Sequence, residues 1–264
     1  MNIFMGIHDS RGQMLLVVVL TMIVALTVGL SVVSRTVTSL RISRQNEESQ
    51  RAFEAAEAGV EQVLQSQTEG SNLQFSNNAK YTTTASDLAG SGFLLNGGDT
   101  IDQDSGIDIW LATYPNYTSP LTGNITIYWS TSNQSCSNSS GPNVVPALEV
   151  VVLSGAVNTP TFNKYVYDPC GRIPNALSNG SGGTIDGEAF SYAAVIPVSS
   201  GLIAKAIPIY NSTEMGISST VALPNQGKLI ESTGQSGDTV RKVRYFASHP
   251  QVPLEIFPYS IISQ

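Results

Sequence analysis

The feature that most constrains this chain is an apolar run near its amino terminus, residues 13–34, which contains no charged side chain. A bilayer core is about 30 Å thick, and a helix needs roughly 20 apolar residues to cross it. A secretory signal peptide has a shorter apolar stretch, of about 7 to 15 residues, and ends in a small-residue cleavage motif that this run lacks. We therefore expect a retained membrane helix rather than a cleaved signal or a buried core helix.

The residues after the apolar run predict that the helix continues beyond the membrane. Residues 35–67 contain no proline and a single glycine, and no turn signal separates them from the run. Apolar residues at steps of three and four indicate an amphipathic helix with a narrow stripe: Phe53, Ala56, Val60 and Val63 or Leu64. We expect one helix over residues 13–67, half in lipid and half outside, after a short polar leader of residues 1–12.

Residues 68–264 predict one β-rich domain. Residues 68–88 are polar and rich in turn formers, and short apolar or alternating runs follow, separated by Gly, Pro, Asn and Ser. The runs lie at residues 106–112, 124–130, 147–154, 163–167, 192–198, 202–210, 228–231 and 240–246. Residues 234–238 have the composition of a hairpin loop. The predicted fold class is α+β, a long amino-terminal helix followed by an antiparallel sheet domain.

Composition argues against nucleic-acid binding and catalysis. The net charge is −7 and only 12 % of residues are charged, whereas phosphate binding needs clustered Lys and Arg. His8 and His249 are the only histidines, and His8 lies in the leader, so a histidine-based triad or metal site has one candidate. We expect no enzymatic activity, no cofactor and no nucleic-acid partner.

An acidic patch around Asp102, Asp104 and Asp108 is the candidate metal site, because carboxylates at alternate positions suit calcium. The sixth position of this loop is Ile107, where an EF-hand requires Gly, and the twelfth is Thr113 instead of Glu. A solvated turn before a strand is the alternative interpretation of the same residues.

Cys136 and Cys170 are the only cysteines and both lie beyond the apolar run. Two free thiols are one interpretation, and a disulfide is the expected one if the domain is exported. Arg35, Arg41 and Arg44 follow the span and taken alone favour a domain on the inside. The cysteine pair, the acidic sheet region and the short leader favour the outside.

Two segments resemble a known family. Arg11-Gly12-Gln13 followed by the apolar run resembles a type IV prepilin leader, and residues 53–60, FEAAEAGV, resemble the F-x-AAEAG stretch of PilX-type minor pilins. The resemblance implies that a prepilin peptidase cuts between Gly12 and Gln13. It also implies a single-pass protein of the cytoplasmic membrane, with its carboxy-terminal domain outside, that meets other pilins through the helix. The residues that carry the helix motif are Phe53, Ala55, Ala56, Glu57, Ala58 and Gly59.

Two positions depart from a major pilin. With Gln13 as the first mature residue, the fifth is Val17, where major pilins have Glu, and Gln13 itself replaces the usual Phe. The resemblance therefore implies a minor pilin that takes part in type IV pilus assembly, in which small helix residues such as Ala25 and Gly29 allow close approach of neighbouring helices. A signal-anchored adhesion domain, a pseudopilin of type II secretion and a membrane-tethered enzyme are the alternatives.

Overall fold

The computed structural model of the chain describes residues 10–66, 73–75, 77–136, 141 and 143–252. Its first element is one unbroken helix, α1, Ser10–Ser66, whose 57 residues span about 85 Å. Within the apolar half, the hydroxyl of Thr21 donates to the carbonyl oxygen of Val18 at 2.9 Å, and Thr27 bonds back in the same way. These bonds satisfy the hydroxyls without water. The prediction of a single helix is confirmed to within three residues at its start and one at its end.

Fourteen strands follow in the described part of the chain, together with a 3-10 turn at Leu95–Gly98. The strands are β1 Leu73–Gln74, β2 Lys80–Asp87, β3 Gly90–Leu94, β4 Ile107–Trp110, β5 Leu121–Trp129, β6 Ala147–Ala156, β7 Thr159–Tyr167, β8 Gly180–Ser181, β9 Thr184–Ile185, β10 Glu188–Ala189, β11 Tyr192–Ile209, β12 Met215–Leu223, β13 Gly227–Ser236 and β14 Thr239–Ser248.

These strands form antiparallel sheets, as the sequence predicted. A four-stranded sheet has the order β1-β2-β13-β14, and an eight-stranded sheet has the order β3-β12-β5-β11-β6-β7, with β4 and β8 also paired to β11. The strands β9 and β10 form a separate two-stranded ribbon. The described chain is therefore α+β, with a small sheet beside the helix and a large sheet that holds most of the core.

The predicted strands at 192–198 and 202–210 are one strand, β11, so the prediction of two is wrong. A β-bulge between Val198 and Gly201 shifts the register without turning the chain. Ser200 takes a positive φ of 52° there, and its amide donates to the hydroxyl of Thr122 on β5 at 3.0 Å. The polar residues that resembled a turn in the sequence form this bulge.

The polar stretch predicted over residues 68–88 is also corrected, because β2 fills its second half. Its burial alternates, with Tyr81 and Thr83 facing inward and their neighbours outward. Threonine is a favourable strand residue, but a run of threonines conceals the period of two. Strands β3 and β12 were not predicted either. The predicted hairpin loop shortens to two residues, Gly237 and Asp238, because β13 continues to Ser236 and pairs with Thr239.

The core of the large sheet has two sides. The larger cluster is centred on Trp129, Ile125, Ile127 and Ile196, all fully buried, and extends to the 3-10 turn through Leu95. The opposite face carries a smaller cluster of Trp110, Ala112, Val151, Leu202 and Ile203. Burying apolar surface on both faces stabilises a sheet that could not be stable as an isolated ribbon.

Candidate functional site along the long helix

The first half of α1 is the candidate membrane and assembly segment. It belongs to the one helix in the described part of the chain that is long and apolar enough to cross a membrane, and none of its apolar window is buried. The backbone of Gly12 and Gln13 is helical and belongs to α1. Residues 1–9 of the predicted leader fall outside the described residues. Val17 is 56 % exposed on the helix surface. Position 17 therefore presents an uncharged side chain to whatever surrounds the helix.

The second half of α1 docks on the small sheet through the predicted helix motif. Ala55, Ala56 and Gly59 are buried, Ala58 is half-buried, and Glu57 is exposed. The remaining buried residues of this face lie one turn before and after: Ala52, Val60 and Val63. The motif therefore supplies the contact face between the helix and the small sheet.

Phe53 does not belong to the buried face of the helix, although the sequence predicts it there. Its side chain is 46 % exposed and lies away from the sheet, and Leu64 is exposed to the same extent. The other predicted members, Ala56, Val60 and Val63, are buried as expected, and Ala52 and Ala55 take the place of Phe53 on the buried face. Small residues are needed because a Cβ on Gly59 would lie 2.4 Å from the hydroxyl oxygen of Ser232 on β13. The close approach of helix and sheet leaves no room for a phenylalanine on that side.

Polar contacts fix the rotation of the helix on the sheet. Arg241 of β14 donates two hydrogen bonds to the hydroxyl of Ser49 at 2.7 and 2.9 Å, and the Tyr81 hydroxyl donates to the side chain of Gln62. The edge strand β14 also carries Lys242, which pairs with Glu231 at 2.7 Å. Charged side chains on an edge strand oppose unwanted pairing with another sheet. Helix α1 is thus joined to the small sheet by hydrogen bonds as well as by apolar packing.

The predicted disulfide is present between Cys136 and Cys170. Next to it, the carboxylate of Asp168 accepts hydrogen bonds from the amides of Cys170 at 3.1 Å and Ile173 at 2.9 Å, and from the Arg172 guanidinium at 2.7 Å. Burial alone would raise the pKa of Asp168, but the bonds from Arg172 and these amides outweigh it and hold the pKa below its usual value. The disulfide therefore closes a loop whose base is held by a buried carboxylate.

The three candidate calcium ligands are not brought together. Asp102 and Asp104 are exposed, whereas Asp108 is buried and pairs with Lys205 of β11 at 2.7 Å. Within the residues that the structure describes, no group of three or more His, Cys, Asp and Glu is placed to hold a metal ion. The alternation that suggested a calcium loop ends at Asp108, because that residue belongs to strand β4 and has a different partner.

The sequence did not reveal the polar contacts at β4, which come from the buried Gln226 and from Gln251, whose side chain is exposed. The amide of Gln226 accepts from the backbone N–H of Trp110 at 2.7 Å and donates to its carbonyl oxygen at 2.9 Å, as a neighbouring strand would. Gln251 accepts from the amide of Asp108 at 2.8 Å. Lys205 offered the one available signal, since it is a single charge inside the apolar run at residues 202–210.

His249, the remaining histidine, has an aromatic environment. Its ring stacks on Tyr114 at a centroid distance of 4.5 Å and meets Trp110 edge-on at 5.9 Å. Its Nε2 lies 3.0 Å from the carbonyl oxygen of Asn225. These contacts hold His249, which directly follows β14, against Trp110 of β4.

Comparison with known proteins gives no further assignment. No protein-family model matches the chain, and the searches of curated proteins and of solved structures return no significant match. The function of the chain therefore has to follow from its own residues and geometry.

Proposed function

We propose that this protein is a minor-pilin-like structural subunit that is anchored in the cytoplasmic membrane and is incorporated into, or primes, a type IV pilus. The observation that carries the proposal is the unbroken helix α1, which is exposed and apolar in its first half and docked on an antiparallel sheet by the AAEAG segment in its second. One continuous helix lets the sheet domain move with its anchor as a single unit when the anchor leaves the membrane.

The exposed apolar surface of the helix supports this role. Side chains from Met14 to Val33 are at least half exposed wherever they are large and apolar, and water does not tolerate so long an apolar surface. Lipid covers it before assembly, and the helices of neighbouring pilins cover it afterwards. Both environments are apolar and lack water, so the same side chains suit both.

Val17 supports a minor rather than a major subunit. An uncharged fifth residue cannot form the ion pair with a neighbour's amino terminus that the Glu of major pilins is expected to form. The subunit would therefore lack this ion pair when it packs against other pilins in the filament. That suits a component at the tip of the pilus or in the priming complex.

Processing at the predicted cleavage site is the direct test. We expect a prepilin peptidase to cut after Gly12, so that protein isolated from membranes begins at Gln13. Gly12→Ala should leave the leader attached, whereas Gly6→Ala, a matched change inside the leader, should leave cleavage unaffected. A mature amino terminus at any residue other than 13 would contradict the proposal.

Pilus shearing separates this function from that of an anchored adhesion domain. If the protein is a pilin, its processed form should appear with sheared pili, or pilus number should fall when its gene is deleted. Protease added to intact spheroplasts should digest the sheet domain if it lies outside the cytoplasm. Correct processing with neither association nor loss of pili would favour the anchored binding domain.

A further inference from the structure

We propose that Lys205 and Asp108 become joined by an amide bond between the Lys205 Nζ and the Asp108 Cγ, so that strands β11 and β4 are covalently tied. This inference does not depend on the proposed function. The two residues are directly opposite each other in the antiparallel register of these strands.

The geometry places the reacting atoms together. Nζ of Lys205 lies 2.7 Å from Oδ1 of Asp108. Because a carboxyl C–O bond is about 1.23 Å long, Nζ lies no more than about 3.9 Å from Cγ. An amine held this near a carboxyl group in a rigid sheet has the high effective concentration that favours an intramolecular reaction.

Burial disfavours the charged form of the Asp108 carboxylate, which does not react with an amine. The side chains of Lys205 and Asp108 are 2 % and 0 % exposed. Burial raises the pKa of Asp108 even though Lys205 and the Val252 amide stabilise its charged form. In the proposed reaction one proton first moves from Nζ to the carboxylate, which gives a neutral acid and a neutral amine. The neutral amine is the nucleophile that the bond requires.

Apolar side chains line the Lys205 side of this site. Ile203 and Ile207 flank Lys205 on the same face of β11, and Val151 is opposite it on β6 and is 2 % exposed. The Lys205 chain also crosses the backbone of Gly106, where a Cβ would lie 2.8 Å from its Cγ and Cδ. Water therefore has little access to reverse the condensation.

The two oxygens of the Asp108 carboxyl group have different partners, so each has a different role in the proposed reaction. Oδ2 accepts a hydrogen bond from the backbone N–H of Val252, which stabilises the negative charge that develops on this oxygen. Oδ1 faces Lys205 and carries the transferred proton. Nζ attacks Cγ, the Nζ–Cγ bond forms, the Cγ–Oδ1 bond breaks, and Oδ1 leaves as water with one further proton from Nζ. No oxidant, reductant or co-reactant is needed.

The chain contains a matched control. Lys164 and Glu149, on the neighbouring strands β7 and β6, lie 2.6 Å apart, but their side chains are 45 % and 20 % exposed. Their distance is as short as that of Lys205 and Asp108, and their access to water is much greater. We expect them to remain an ordinary ion pair.

Mass spectrometry of the purified full chain tests the proposal. After reduction of the disulfide, the protein should be lighter by one water than its sequence requires for the amino terminus found. A protease digest should contain a branched peptide that joins Lys205 to Asp108, while Lys164 and Glu149 are recovered in linear peptides. Lys205→Met should restore the full sequence mass.

Measurements on the wild-type protein alone can overturn the proposal. If the reduced wild-type protein has its full sequence mass, and Lys205 and Asp108 are recovered in separate linear peptides, the amide does not form. A loss of water located at any other pair of residues would overturn it equally.

Discussion

The backbone of Gly234 in β13 lies directly against the carbonyl group of Ala52 in α1, so that a Cβ on Gly234 would lie 1.9 Å from that oxygen and 2.6 Å from the amide nitrogen of Ala56. Both neighbours are backbone atoms, which cannot rotate away as a side chain would. This contact explains why α1 carries alanines on the face that meets the sheet, and it determines how closely the small sheet packs on the helix.

Gly234→Ala should separate helix and sheet. Overpacking of a well-packed contact costs about 1 to 3 kcal/mol, and a clash with backbone belongs at the upper end, so we expect a loss of about 3 kcal/mol. Urea unfolding of the full chain in detergent, followed by tryptophan fluorescence, measures it. Gly180→Ala is the matched control, because its added Cβ would meet nothing closer than 3.4 Å. Equal stability of the two variants would show that the helix does not dock here.

Replacement by alanine should lower the stability of the protein at Val60 but not at Phe53. Val60 is 7 % exposed in the cluster with Val63 and Ile230, so Val60→Ala should cost roughly 2 kcal/mol of unfolding free energy. Phe53 is 46 % exposed, and Phe53→Ala should change stability by no more than about 0.5 kcal/mol. Under the proposed function Phe53→Ala should nevertheless reduce incorporation into pili, because its ring is available to a neighbouring subunit. A large stability loss for Phe53→Ala would contradict the docking face.

Asp168 should make stability depend on pH in the acid range. Its folded pKa is lowered, so its contribution is fully present above its unfolded pKa of about 3.9 and is lost as pH falls through the folded pKa. Asp168→Asn should therefore cost about 2 kcal/mol at neutral pH, where the wild-type carboxylate accepts charge-assisted hydrogen bonds from the partly exposed Arg172. The difference should shrink below about pH 4. Urea midpoints measured across this range test the effect, with the exposed Asp102→Asn as the control.

The parts of the fold that the sequence predicted are those with strong local signals. The helix α1 follows from an uncharged run joined to residues without proline, and β5, β6 and β14 follow from alternating or apolar runs. The parts that it missed depend on tertiary context. β2 was missed because its threonines carry no hydrophobic period, and β11 was divided because the residues of a bulge resemble those of a turn.

The candidate sites also differ in whether the sequence alone could predict them. The cysteine pair was predictable because the sequence contains only two. The pair of Lys205 and Asp108 was not, since the residues lie far apart along the chain and only the register of β11 with β4 places them opposite each other. Phe53 was assigned to the buried face because large apolar side chains usually define it. Here the helix lies so close to Gly234 and Ser232 of β13 that only small side chains fit on the buried face.

The disulfide should be a major source of stability for the sheet domain. Cys136 and Cys170 are separated by 34 positions, and closing a loop of that length restricts the unfolded chain by about 4 kcal/mol in the chain-entropy model. The double substitution Cys136→Ser and Cys170→Ser should therefore lower the free energy of unfolding by about that amount, and reducing agent should lower the wild type to the same level. Reductant should leave the double variant unchanged, which controls for effects on other parts of the chain. Alkylation of two thiols in the native protein without reductant would show that the bond does not form.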